Sequence, residues 1–77
     1  MRARLQELFN DYTGRDDVLL REESVILRDL GLNSYELVNL IVEAEDRFGV
    51  ELPDRAILKI RTIGDLIALL EEQGVAL

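Results

Sequence analysis

The sequence predicts an all-α protein, a single domain over residues 1–77 with four helices, a long loop between helices 1 and 2 and a short helix 3. Three observations support this fold class. Apolar residues recur at helical spacing in separate segments, capping residues stand where those segments begin, and no segment alternates as a strand does. Hydrophobic residues make up 48% of the chain and charged residues 32%, a mixture typical of a compact helical domain.

The first helix is predicted from an apolar stripe, and Gly14 ends it. The stripe follows the i, i+3, i+4, i+7 spacing and consists of Leu5, Leu8, Phe9 and Tyr12. The connection from Thr13 to Asn33 is long for a small domain but rich in apolar residues. We therefore expect it to pack on the core, with a short turn starting at Ser24.

The second helix is predicted to run from Ser34 to Phe48. Asn33 is a good N-cap, and Glu36 stands three residues later in a capping-box arrangement. Gly49 is placed to end the helix. Its buried stripe is predicted to contain Leu37, Leu40, Ile41, Ala44 and Phe48.

Two further helices complete the prediction. Pro53 restarts the chain, and a short third helix is expected over 54–60, with Ala56, Ile57 and Ile60 inward. Thr62 caps the last helix, with Asp65 at its third position and Gly74 at its end. The last apolar stripe consists of Ile63, Leu66, Ile67 and Leu70.

Composition excludes several functions. The chain has no cysteine and no histidine, which removes disulfides, thiolate or histidine metal sites and Cys–His or Ser–His catalytic pairs. Its net charge of −7 argues against nucleic-acid or anionic-membrane partners and favours partners with basic patches. Short apolar runs and an N-terminus unlike a secretory signal indicate a cytoplasmic protein.

The second helix carries two unusual edges. Acidic and polar residues follow one another at spacings of three and four on one edge, namely Glu36, Asn39, Glu43 and Asp46. This edge is either a solvated face or a docking strip for basic partners. Tyr35, Val38 and Val42 form the neighbouring edge, which either packs against the long connection or is the apolar centre of a docking surface.

Ser34 has two interpretations. Serine is common at helix starts because its hydroxyl helps to satisfy free amides. Alternatively, a hydroxyl in the first turn can carry a phosphate, because the amides and the helix dipole there favour an anion. The position alone does not decide between them.

The surrounding motif resembles that of the acyl carrier protein family. The segment Asp29-Leu30-Gly31-Leu32-Asn33-Ser34-Tyr35-Glu36-Leu37-Val38 is similar to the family's signature D-L-G-x-D-S-L-x-x-V. The match continues through Leu40, Glu45, Phe48, Glu51-Leu52-Pro53-Asp54, Lys59-Ile60 and Thr62. The resemblance covers nearly the whole chain, most convincingly residues 29–70.

The resemblance implies a four-helix bundle of acyl-carrier type that carries 4′-phosphopantetheine on Ser34. A phosphopantetheinyl transferase would install the arm from coenzyme A, and the arm's thiol would hold an acyl group as a thioester. The carrier is then not an enzyme, and the cofactor supplies the reactive group. Further expected partners are acyl-chain-processing or ligase enzymes with basic docking patches, and we expect a monomer.

Two sets of residues are expected to act in such a carrier. The expected docking residues are Asn33, Tyr35, Glu36, Val38, Asn39, Val42, Glu43 and Asp46. The expected acyl pocket is lined by Ile26, Leu40, Ala44, Leu52, Ile57, Ile60 and Leu66. These pocket residues could equally form a packed core that opens only when the carrier is loaded.

Several residues depart from the family pattern. Asn33 replaces the aspartate that usually precedes the modified serine and so lacks the carboxylate presented to the transferase. Tyr35 replaces a leucine, Asn39 stands where an acid is common, and Arg47 interrupts the acidic run. These departures suggest a free-standing, specialised fatty-acid or polyketide-type carrier. The alternatives are an aminoacyl or peptidyl carrier, or an unmodified interaction protein with the carrier fold.

Overall fold

The computed structural model describes residues 3–77 and confirms the all-α prediction. Its helical segments are α1 (Ala3–Thr13), α2 (Ile26–Asp29), α3 (Ser34–Phe48), α4 (Asp54–Ile57) and α5 (Ile63–Glu72). The four predicted helices correspond to α1, α3, α4 and α5. The additional segment, α2, is a single turn inside the long connection, just after the position where a turn was expected.

Capping fixes the limits of α3 as predicted. The Asn33 side chain accepts a hydrogen bond from the Glu36 amide, and the Glu36 side chain accepts one from the Asn33 amide. At the other end Gly49 adopts φ 67°, and its N–H donates to the Glu45 carbonyl. The helix therefore has both of its ends closed by groups within the chain.

The third predicted helix is shorter than expected. It was predicted to reach Ile60, but α4 ends at Ile57. From Lys59 onward the amides bond three residues back rather than four, with Ile60 N–H donating to the Ile57 carbonyl at 3.1 Å. The tighter turn still buries Ile60, whereas Ala56 and Ile57 are only half-buried.

One apolar core joins the helices and the long connection. The helices contribute Leu5, Leu8, Phe9, Ile26, Leu40, Ile41, Ala44, Ile63, Leu66, Ile67 and Leu70. The connections contribute Leu20, Leu30, Leu32, Leu52 and Ile60. The expectation that the first connection packs on the core is thus confirmed.

The first connection, residues 14–33, is held to α1 by one polar side chain. Gln6 donates from Nε2 to the Val18 carbonyl at 2.8 Å and accepts from the Leu20 amide through Oε1 at 2.9 Å. A glutamine amide can bond a backbone donor and a backbone acceptor at the same time. Gln6 therefore fixes this stretch of backbone beside α1.

The same connection closes the start of α5. The amides of Ile63 and Gly64 donate to the carbonyls of Ser24 and Glu22, at 3.0 Å and 2.8 Å. The first amides of a helix have no partner within the helix, so an outside acceptor is needed. Backbone of the connection supplies it, and this ties the connection to the last helix.

Candidate functional site at the start of α3

The segment that leads into α3 is fixed by two buried leucines around a glycine. Leu30 and Leu32 are buried in the core. Gly31 between them has φ 71°, a left-handed conformation that disfavours residues with a Cβ. This turn brings the chain from α2 to Asn33 and sets the position of Ser34.

The aspartate that begins the motif has a local structural role. Asp29 accepts the Val25 amide at 2.8 Å and pairs with the Arg28 guanidinium at 2.9 Å. The hydrogen bond from Arg28, followed by that from the Val25 amide, lowers the pKa of the Asp29 carboxyl. Asp29 thus closes the α2 turn just before the site.

The capping box leaves two amides free at the helix start. It satisfies the N–H groups of Asn33 and Glu36, at 3.1 Å and 2.8 Å. Among the described residues, nothing accepts the N–H groups of Ser34 and Tyr35. At α5, by contrast, the capping box and the connection satisfy the corresponding groups. The start of α3 therefore retains donors that can meet an anion.

Ser34 is exposed on the first residue of α3. Over residues 3–77 its Oγ makes no hydrogen bond, so a group attached there would displace none. The chain has no histidine that could activate the hydroxyl. The arrangement suits a hydroxyl that an external enzyme modifies.

One contact beside the site was not foreseen from the sequence. The Tyr12 hydroxyl donates to the Glu36 carbonyl at 3.3 Å, which connects the end of α1 to the first turn of α3. The sequence indicated Tyr12 only as a member of the apolar stripe. A tyrosine in such a stripe often places its hydroxyl at a polar edge, and this is the signal that could have indicated the contact.

The predicted docking residues lie on one helix and largely face solvent. Tyr35, Val38 and Val42 are 75%, 48% and 45% exposed, so this edge does not pack into the core as one interpretation required. Glu43 and Asp46 are also exposed. Asn33, which precedes the helix, is exposed, whereas Glu36 and Asn39 are half-buried.

The predicted pocket residues meet in the core. Ile26, Leu40, Ala44, Leu52, Ile60 and Leu66 are buried, and Ile57 is half-buried against them. An open groove of about 200 Å³ lies at the surface beside α4 and α5, and Ile60 is the one predicted pocket residue that lines it. These side chains form a packed core in this structure, and an acyl space among them stays a prediction.

In the part of the chain that the structure describes, no helix has the length and apolar character needed to cross a bilayer. Over the same residues, no group of three acidic side chains is arranged to hold a metal ion.

Comparisons with known proteins agree with the motif. The family described as "Phosphopantetheine attachment site" matches residues 3–70. The acyl carrier protein of Thermotoga maritima is 31% identical over 71 residues, covering 92% of this chain and 88% of that protein. A meromycolate extension acyl carrier protein of Mycolicibacterium aurum is 31% identical, covering 91% and 72%. A solved structure from Mycobacterium tuberculosis, assigned to the acyl carrier proteins, has a TM-score of 0.86 at 25% identity and covers 94% and 96%.

Proposed function

Because the chain belongs to the phosphopantetheine-attachment family, which includes the acyl carrier proteins, we propose that it is a free-standing carrier modified on Ser34. The family carries 4′-phosphopantetheine as a covalent group. When bound, this group supplies a thiol that holds an acyl cargo as a thioester. The protein's own residues would position the arm, and partner enzymes would recognise them.

The residues at Ser34 fit this group. The arm joins its serine through a phosphodiester, which is an anion. The free amides of Ser34 and Tyr35 and the positive end of the α3 dipole favour a negative charge there, by about 0.3–1 kcal/mol. Because Ser34 is exposed and its Oγ is unbonded among residues 3–77, attachment requires no rearrangement of the core.

The exposed, unbonded hydroxyl of Ser34 within the family motif is the observation that carries the proposal. Co-expression with a broad-specificity phosphopantetheinyl transferase, followed by intact-mass measurement, tests it. We expect the mass to rise by one phosphopantetheine and the rise to vanish in Ser34→Ala. Ser24 is the only other serine in the chain and is buried, so Ser24→Ala is the matched control and should still be modified.

Two outcomes of that experiment count against the proposal. A mass that does not change would favour the second candidate function, an unmodified interaction protein with the carrier fold. The departure at Asn33 motivates this alternative. An increment that survives Ser34→Ala would place the attachment elsewhere.

We further propose that the cargo is a fatty-acid or polyketide-type acyl chain in a specialised pathway. The similarity to acyl carriers, one of them named for meromycolate extension, supports an acyl cargo. The departures at Tyr35 and Asn39 support dedicated partners. The protein that carries phosphopantetheine but no cargo is offered to a fatty-acid ligase and to an amino-acid-activating enzyme. This experiment separates the proposal from an aminoacyl or peptidyl carrier. Charging by the second enzyme alone would reject it.

The exposed face of α3 is the proposed docking surface. Its apolar centre is Tyr35, Val38 and Val42, and its acids are Glu43 and Asp46. Such a surface combines desolvation at the centre with charge that steers basic partners. On this proposal the partners are the transferase and acyl-processing enzymes, and the carrier acts as a cytoplasmic monomer without catalysing a step itself.

Charge reversal tests the docking surface. We expect the pair Glu43→Lys and Asp46→Lys to slow association with the transferase at low salt, with the difference shrinking as salt rises. The pair Asp16→Lys and Glu72→Lys is the control, since both residues are exposed, lie off α3 and change the net charge equally. Equal slowing by both pairs would show that only net charge matters.

A further inference from the structure

The orientation of the Asn33 amide is fixed by the capping box. Its Oδ1 accepts the Glu36 N–H at 2.8 Å, so this atom must be the oxygen and the NH₂ group must occupy the other position. Asn33 is exposed, and no acceptor among the described residues bonds Nδ2. The residue before Ser34 therefore presents a hydrogen-bond donor to solvent.

This donor reverses the usual chemistry of the position. An aspartate would cap α3 equally well, and its second oxygen would present a negative acceptor. Asn33 keeps the cap but offers a neutral NH₂ group in its place. Glu36, three residues further along the chain, has Oε1 engaged by the Asn33 amide at 3.1 Å. A partner that approaches Ser34 thus meets a donor where the family signature has an acceptor.

We infer that Asn33 determines which transferase modifies this carrier. That transferase presents a hydrogen-bond acceptor, and not a cation, to the Asn33 NH₂ group. This inference rests on the proposed attachment at Ser34. A transferase whose arginine or lysine faces this position would bring donor against donor and leave both without a partner. Losing a charge-assisted hydrogen bond in a closed interface costs on the order of tenfold in affinity or more.

Two substitutions separate donor from charge while keeping the cap. Asn33→Asp removes the donor and adds a carboxylate, and aspartate caps as well as asparagine. Asn33→Thr removes the NH₂ group without adding charge. Thr62 already serves the same capping-box role at α5, where it accepts the Asp65 amide at 3.1 Å, so threonine is compatible with this geometry. Thermal melting of all three proteins checks that the fold is retained.

The probe is a transferase that naturally loads carriers with aspartate before the modified serine and uses a basic residue at this contact. Two quantities are measured for each unmodified carrier. They are the kcat/KM of the transferase for that carrier in the presence of coenzyme A, and the Kd of the transferase for that carrier. We expect Asn33→Asp to be loaded and bound about tenfold better than the parent chain, with Asn33→Thr close to the parent. Replacing the basic residue of the transferase by glutamate should invert the order of the parent and Asn33→Asp.

The outcomes separate this inference from the proposed function. Equal loading and equal Kd for the parent and Asn33→Asp would overturn the inference while leaving attachment at Ser34 intact. If the glutamate variant of the transferase did not prefer the parent chain over Asn33→Asp, the assignment of a hydrogen-bond acceptor in the partner would be overturned. No loading of any variant by either transferase would overturn the proposed function, and this inference with it.

Discussion

Ile41 and Val42 are neighbours in α3 that lie on different faces of the helix. Ile41 is 0% exposed in the core, and Val42 is 45% exposed on the proposed docking surface. Replacing each by alanine in turn compares a buried and an exposed β-branched residue in the same helical turn. Only the buried position should be important for folding.

The expected magnitudes follow from burial. Ile41→Ala removes three carbons from a packed site, which typically costs about 2–5 kcal/mol. Val42→Ala removes two methyl groups from a half-exposed site, a loss of about 1 kcal/mol or less. Alanine recovers up to about 0.7 kcal/mol of that loss through its higher helix propensity. The net effect of Val42→Ala should therefore lie within about 0.5 kcal/mol of zero.

Thermal unfolding followed by far-ultraviolet circular dichroism measures both effects. In a domain of this size about 1 kcal/mol shifts Tm by roughly 4–8 °C. Ile41→Ala should lower Tm by about 8 °C or more, and Val42→Ala should change it by no more than about 4 °C. If Val42→Ala were as destabilising as Ile41→Ala, the exposed face of α3 would be packed in solution and could not serve for docking.

Three further predictions concern stability. Gly49→Ala should lower the free energy of unfolding in urea by about 1–2 kcal/mol, because Gly49 has φ 67°, a left-handed conformation that alanine disfavours. A Cβ there meets no atom within 4 Å, so the cost is conformational and not steric. Gly49→Asn should therefore cost less, because asparagine adopts this conformation more readily. Hydrogen bonds from the amides of Arg61 and Thr62 lower the pKa of the Asp65 carboxyl. The ionised Asp65 therefore stabilises the folded protein above the pKa that this carboxyl has in the unfolded chain, and this contribution is lost as pH falls through its folded-state pKa. Asp65→Asn should thus flatten the acid side of a Tm–pH profile, and an unchanged profile would contradict this. Finally, the net charge of −7 should make Tm rise with added salt.

The limits of the longer helices could be predicted because their signals are local. Asn33 and Glu36 mark the start of α3 and Gly49 marks its end, and the structure has the same limits. Thr62 and Asp65 mark the start of α5 in the same way. A cap involves residues within one turn of each other, so a pattern in the sequence contains the whole interaction.

The connection between α1 and α3 could be predicted only in part. Its apolar content predicted packing, but not the bonds from Gln6 to the backbone beyond Gly14 or from α5 to the carbonyls of Glu22 and Ser24. These bonds join residues far apart in the chain, and most use main-chain atoms that every residue has. The predicted third helix was longer than α4 because the apolar spacing through Ile60 fits two hydrogen-bond patterns. It does not distinguish amides that bond four residues back from amides that bond three residues back.

At the site, the sequence predicted Ser34 through its motif and the acidic edge through its spacing. It left open whether Tyr35, Val38 and Val42 were core or surface, because both placements fit one helical edge. Burial decided the question, since it depends on where α1 and the connection lie relative to α3. The free NH₂ group of Asn33 likewise emerged only once the capping oxygen was assigned.

The bonds that anchor the first connection also determine where a protease can cut it. Arg15 and Arg21 are both exposed and offer trypsin the same side chain. Cleavage requires the backbone to leave the protein surface, and around Arg21 this breaks the bonds of Leu20 to Gln6 and of Glu22 to Gly64. Arg15 precedes these anchors, so limited digestion should nick the native protein there first.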